Sequence, residues 1–75
     1  MLHLPPEEAE KALAARIAFN GVCQACGKEA FRPCVDHKGK KFRGIICWHC
    51  NIALGHVKDS CETLARLVQY LRGEL

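Results

Sequence analysis

Two short cysteine pairs dominate the chemistry that this chain could perform. Cys23-x-x-Cys26 and Cys47-x-x-Cys50 are separated by twenty residues, a spacing that matches four-cysteine zinc sites. A Cys-x-x-Cys turn aims two thiolates at one point, and a second such turn completes a tetrahedron with Zn–S near ~2.3 Å. Gly27, directly after Cys26, suits a knuckle whose tight turn needs a positive φ. All four corners are cysteine, so no coordination position is left open for catalysis. The zinc is therefore read as structural, its binding energy serving as folding energy. Three disulfides and a redox-active CxxC pair are the competing readings. A reducing compartment disfavours the first, and the lack of a βαβ pattern around the motifs disfavours the second. Cys34 and Cys61 are surplus, and both are read as small buried hydrophobes.

A second constellation lies inside the first. Asp36-His37 falls between the knuckles, and Asn51 follows the fourth cysteine directly. A carboxylate oxygen and an amide oxygen are hard ligands suited to Mg²⁺, which keeps waters and takes one or two protein ligands. A neighbouring imidazole titrates near neutral pH and can take a proton from an attacking water. Together these three residues fit metal-assisted phosphodiester hydrolysis. Lys38, Lys40, Lys41 and Arg43 surround the place where a phosphate would sit. Plainer roles stand beside these: a turn-capping Asp36, a His37 that hydrogen-bonds within a hairpin, and an Asn51 that caps a helix. Trp48 is read as packing before base stacking, and His49 is set aside as a zinc ligand because four cysteines already suffice.

The elements that must position these residues fall into three pieces. The first is a helix over residues 6–19, opened by a proline pair, with Glu7, Glu8 and Glu10 near its positive end. Ala9, Leu13 and Ile17 repeat on one face, Phe19 lies near the end, and Asn20-Gly21 stops it. The last is a helix over residues 60–72, with Asp59 as N-cap, Glu62 completing a capping box, and Gly73 closing it. Leu64, Leu67, Val68 and Leu71 form its stripe, and both stripes are read as core. Between the helices, residues 34–37 and 42–46 read as strands joined by Lys38-Gly39-Lys40-Lys41. A short helix follows over the second knuckle and ends at Gly55. The fold class is thus a small α+β zinc-stapled domain, with residues 1–75 forming one unit around knuckles and core at 23–55.

Size and composition agree. A chain of 75 residues with six cysteines seldom obtains more than roughly 3–5 kcal/mol from its core alone, so a staple is expected. Its 49% hydrophobic and 25% charged residues exclude a disordered chain. No apolar run approaches the ~20 residues of a membrane span. The start, Met1-Leu2-His3-Leu4-Pro5-Pro6, runs straight into Glu7 and Glu8, unlike a secretory signal. A cytoplasmic location is expected. The net charge of +3 is concentrated in residues 28–43, where a polyanion would bind.

The runs Cys23-Gln24-Ala25-Cys26-Gly27, Val35-Asp36-His37 and Arg43-Gly44-Ile45-Ile46-Cys47-Trp48-His49-Cys50-Asn51-Ile52-Ala53-Leu54-Gly55 resemble the phage endonuclease VII branch of the HNH nucleases. The likeness extends through Asp59, Leu64 and Tyr70-Leu71 and covers nearly the whole chain. It implies the ββα-metal (His-Me finger) fold, with flanking helices at each end. It also implies that Asp36 and Asn51 bind a catalytic Mg²⁺ or Mn²⁺ and that His37 is the general base. The metal would stabilise the leaving 3′-oxygen, giving 5′-phosphate and 3′-hydroxyl ends. Arg43 matches the arginine of the family's Arg-Gly pair and would contact a backbone phosphate.

Two departures from the family pattern stand out. Most relatives carry Asp-His-Asp-His and a longer loop, whereas Asp36-His37 here runs into Lys38-Gly39. The larger resolvases also add C-terminal helices that form an intertwined dimer, and this chain ends at Leu75. The expectation is therefore a DNA-nicking enzyme of low sequence specificity, a monomer with no membrane attachment, acting in the cytoplasm of a bacterial host. A packaging or recombination protein is a conceivable partner by family analogy. The alternative is a non-catalytic zinc ribbon that binds nucleic acid or protein, which would have no need of Asp36, His37 and Asn51. A zinc-stabilised adaptor would leave the basic hairpin unexplained.

Overall fold

Proline sets where the first helix begins. Pro5 is its N-cap and Pro6 its first residue, so the amide hydrogen that proline lacks is one the helix would leave unpaired anyway. In the computed structural model, which describes residues 4–75, helix α1 spans Pro6–Ala18. Strands β1 (Cys34–Lys38) and β2 (Lys41–Ile46) follow, then helices α2 (Trp48–His56) and α3 (Cys61–Leu71). Met1, Leu2 and His3, part of the start that argued against a secretory signal, lie outside the described residues. Among the described residues no helix is long and apolar enough to cross a membrane.

The two strands form an antiparallel hairpin. Its turn is shorter than expected: Lys38 and Lys41 pair as strand residues, and Gly39-Lys40 alone makes the connection. Cys34, Val35 and Asp36 face Ile46, Ile45 and Gly44, but His37 pairs with Phe42. Arg43 is therefore the extra residue of a β-bulge, a device that re-aims side chains near functional sites.

The outer edge of β2 is closed by side chains instead of a third strand. Glu8 of α1 accepts the Phe42 N–H at 2.8 Å. Gln24 of the first knuckle accepts the Ile45 N–H at 2.7 Å through Oε1, and its own N–H donates to the Ile45 carbonyl at 3.1 Å. Such cover prevents a bare edge from pairing with another chain. Gly44 leaves room for this arrangement, because a Cβ at that position would displace the Gln24 side-chain oxygen.

The face of α1 turned inward differs from the expectation. Ala12 is buried and Glu8, Ala15 and Phe19 are half-buried, whereas Leu13 is 58% and Ile17 79% exposed. The cause is the Glu8 anchor together with close packing of small alanine side chains against β2. The core gathers instead at the knuckles, where Cys23, Ile46 and Cys47 are buried and Ala30, Cys50 and Leu54 pack against them.

The last two helices also end differently. Helix α2 does not stop at Gly55; it runs on to His56, and Val57 caps it. Ser60, not Asp59, is the N-cap of α3, with its Oγ accepting the Thr63 N–H at 3.1 Å. The α3 stripe is not core: Leu64 is half-buried, but Leu67, Val68 and Leu71 are exposed. Cys61 is exposed too, so the reading of it as a buried hydrophobe is corrected. Cys34 is half-buried, and its thiol donates to the Arg32 carbonyl at 3.2 Å.

Candidate metal centre and active site

The four cysteines converge as their spacing requires. Their sulfurs all lie within 4.8 Å of one another. Cys23 Sγ is 3.8 Å from Cys50 Sγ, and Cys26 Sγ is 4.0 Å from Cys47 Sγ. A tetrahedron with Zn–S of ~2.3 Å has S···S edges of ~3.8 Å, so the cluster has the size of a single four-sulfur site. Gly27, at φ +74°, closes the first knuckle with its N–H donated to the Cys23 carbonyl at 2.9 Å.

The backbone prepares the sulfurs to be thiolates. Cys23 Sγ faces three N–H groups, from Ala25 and Cys26 at 3.3 Å and from Cys47 at 3.2 Å. Desolvation pushes the Cys23 thiol up, but donation from Cys26, Cys47 and Ala25 overcomes it and brings the group down to about 6. Cys50 moves the other way, pushed up to about 12 by desolvation and by its contacts with the sulfurs of Cys47, Cys26 and Cys23. The Cys23 thiolate forms readily and Cys50 then resists ionising. A dication at the centre removes that conflict, because it favours every thiolate at once. The four cysteines can thus hold one metal ion.

The second constellation is centred on Asp36. Its side chain is largely buried, and Arg43 grips it twice, Nε to Oδ2 at 2.7 Å and Nη2 to Oδ1 at 3.2 Å. The same Nη2 donates to Asp59 Oδ1 at 3.2 Å. Asp36 first, with Asp59 as a lesser contributor, raises the Arg43 pKa further above its ordinary value. Lys58 and Asp59 both sit at φ +56°, a region that costs non-glycine residues energy. From this strained pair the Asp59 carboxylate reaches Arg43. A groove of about 210 Å³ opens beside Asp36, lined also by Gln24, Ala25, Arg43, Gly44, Ile46 and Leu54.

His37 is the next residue along β1, and its Nδ1 lies 2.8 Å from the Gly39 carbonyl. A carbonyl can only accept, so Nδ1 carries the proton and Nε2 is left as the acceptor nitrogen. The register of the hairpin slips between Asp36 and His37, at the step where strict alternation would send the two side chains to opposite faces. Asn51 is the fourth residue of α2, and its N–H donates to the Cys47 carbonyl at 3.0 Å. Cys47 is the cap of that helix, with Sγ accepting the Cys50 N–H, so Asn51 has no capping role. Asn51 stands one helical turn before Leu54, which lines the Asp36 groove. Among the described residues no hydrogen bond joins the Asn51 side chain to Asp36 or His37. Lys38, Lys40 and Lys41 are exposed at the hairpin tip.

The model of the recombination endonuclease VII family matches residues 3–73. The chain belongs to the recombination endonuclease VII family. No curated protein and no solved structure matches it. The family is one of endonucleases, and DNA is the substrate it implies. In this endonuclease VII family member β1, β2 and α2 follow one another along the chain, and the four-cysteine cluster brings the first knuckle against the start of α2.

Sequence reasoning missed Asp59 as a partner of Arg43, because Asp followed three residues later by Glu is also a capping signature. It missed Glu8 and Gln24 as edge caps of β2, for which no local pattern exists. It also left Phe31 unremarked, although an aromatic residue in a polar loop before a proline was a readable signal.

Proposed function

We propose that the chain is a divalent-metal-dependent DNA endonuclease of the HNH type, acting as one unit over residues 1–75. Zinc on Cys23, Cys26, Cys47 and Cys50 would be structural, fixing the first knuckle against the start of α2. Asp36 and Asn51 would hold Mg²⁺ or Mn²⁺. One carboxylate and one amide oxygen are the hard donors such an ion takes, and the groove beside Asp36 has room for waters it retains. When bound, that cation supplies charge stabilisation at the scissile phosphate and the leaving 3′-oxygen.

The observation that carries this reading is the contact between His37 Nδ1 and the Gly39 carbonyl, which leaves Nε2 free to accept a proton. His37 Nε2 takes a proton from water as the water oxygen bonds to phosphorus. The P–O3′ bond breaks with its electron pair passing to O3′, which is protonated from solvent. The products are a 3′-hydroxyl and a 5′-phosphate. Arg43, Lys38, Lys40 and Lys41 would contact backbone phosphates. Lys38 and Lys41 are cross-strand partners, and like charges placed so repel. A phosphate between them relieves that repulsion. Contacts of this kind position DNA without reading bases, so the enzyme nicks with low sequence specificity. The resemblance to phage enzymes supports a bacteriophage origin and action in a bacterial cytoplasm.

A second reading is favoured by one observation. Both Asp36 oxygens are occupied by Arg43, as they could remain in a zinc ribbon that binds nucleic acid without cutting it. Incubating the zinc-loaded chain with supercoiled plasmid and Mg²⁺ or Mn²⁺ separates the two. Conversion to nicked circles is expected. Binding without cleavage under any divalent metal would establish the ribbon.

A further inference from the structure

Three aromatic rings and a guanidinium sit together on the surface, outside the buried core and not among the residues that line the Asp36 groove. Phe31 stacks on His49, with ring centroids 5.5 Å apart and planes 25° from parallel. Trp48 meets both edge-on, 6.2 Å from Phe31 and 5.2 Å from His49. The Arg32 guanidinium lies 5.9 Å from the Phe31 ring centre. Packing does not account for the group, since Phe31 is 54% and Trp48 38% exposed and His49 is exposed as well.

The backbone holds this cluster in place. The Trp48 N–H donates to the Phe31 carbonyl at 2.9 Å, which ties the loop before β1 to the first residue of α2. Arg32 sits at φ +50° directly before Pro33, a strained conformation for a residue with a side chain, and proline further narrows what its predecessor can adopt. Strain of this kind persists where surrounding structure imposes it, and here it presents the guanidinium to an aromatic face. His49 also lines a groove of about 390 Å³ beside the cysteine cluster, where Lys28 and Glu29 stand with Cys26, Cys47 and Cys50. The charge on Arg32 and Lys28 outweighs Glu29, which suits an anionic partner with flat apolar faces.

We infer that Phe31, Trp48 and His49, with Arg32, form a stacking platform for unpaired nucleobases of a DNA strand. Every base has a π-face, so such platforms bind single strands with little sequence preference, and a nearby arginine adds cation–π attraction and a phosphate contact. The inference rests on the nuclease reading for its choice of DNA. It adds the form of DNA favoured: a duplex with an unpaired or frayed segment, whose free bases engage the platform.

Trp48 is the chain's single tryptophan, so its fluorescence reports on the platform directly. The zinc-loaded chain is titrated, without added Mg²⁺, against a single-stranded oligonucleotide and against a duplex of equal length. The single strand is expected to quench Trp48 and the duplex to quench it far less. Phe31→Ala is expected to weaken single-strand binding about tenfold, the scale of one lost stacking contact, with duplex binding and duplex nicking unchanged. Phe31→Leu, which keeps the apolar bulk, guards against a folding defect and is expected to behave like Phe31→Ala. Equal quenching by both DNA forms, or single-strand affinity unchanged in Phe31→Ala and Phe31→Leu, would overturn the inference. If the chain nicks duplex but ignores single strands, the platform fails and the nuclease stands. If single strands quench through Phe31 and no metal supports nicking, the reverse holds.

Discussion

Arg43 grips the Asp36 carboxylate through both oxygens, at 2.7 and 3.2 Å, so the carboxylate proposed to hold a divalent cation already has a cationic partner. The guanidinium is also held by Asp59 at 3.2 Å, so it has a partner to retain when Asp36 changes occupant. On the proposed reading, metal binding at Asp36 and release of Arg43 towards a phosphate would be one exchange. Arg43→Ala should bind Mn²⁺ more tightly at Asp36, by roughly two- to fivefold, the range of a partly exposed ion pair. The same variant should bind DNA more weakly. Calorimetric titration of the zinc-loaded chains with Mn²⁺ checks the first effect, and an unchanged or weaker affinity would show that Arg43 does not compete for Asp36.

The cysteine cluster should govern folding. A structural zinc site contributes about 10–16 kcal/mol, comparable with the roughly 5–15 kcal/mol of total stability in ordinary domains. Cys23→Ser and Cys47→Ser, at the two buried ligands, should leave the chain largely unfolded by circular dichroism, and chelator should do the same to wild type. Native melting behaviour in either variant would contradict this.

Glu8 links α1 to the hairpin, and its pH dependence has a definite sign. The hydrogen bond from Lys11, then that from the Phe42 N–H, holds its carboxyl below the ordinary value of 4.5. A carboxylate depressed in the folded state stabilises fully above its unfolded value and loses that contribution as pH falls through the folded one. Glu8→Gln should therefore melt at a lower temperature than wild type at pH 7. The gap should close as the solution is acidified below 4.5. Melting curves for the pair between pH 3 and 7 test it, and a gap that persisted at the acid end would place the effect elsewhere.

The hairpin tip should carry sequence-independent affinity. Lys40→Ala with Lys41→Ala would remove the two proposed phosphate contacts, so binding should weaken and the salt slope should fall by about 2, near 0.9 per contact. Binding measured across salt concentrations checks this. An unchanged slope would mean that the lysines only solvate the turn.

What could be read from the residues was whatever local chemistry imposes. Two Cys-x-x-Cys turns demand a common centre, and a glycine within a lysine run demands a turn. The inward face of α1 could not be read in this way. Periodicity favours Leu13 and Ile17, but Glu8 reaches across 34 residues to Phe42 and rotates the alanines inward. The cap of α3 was misplaced for a related reason. Asp59 and Ser60 are both good caps, and Arg43, sixteen residues away, decides between them by engaging Asp59. The aromatic cluster was hidden because Phe31 and Trp48 meet only once the knuckles close. Asp36, His37 and Asn51 were singled out by type and spacing, and the structure supplies the Gly39 carbonyl that orients the imidazole.

His37 is proposed to remove the proton from the attacking water. The most direct measurement is the rate of plasmid nicking by wild type and His37→Ala, both zinc-loaded and matched for DNA and Mn²⁺ binding. Loss of a general base should slow the variant by about 10²–10⁴-fold with binding retained. Equal rates in the two proteins would contradict the assignment.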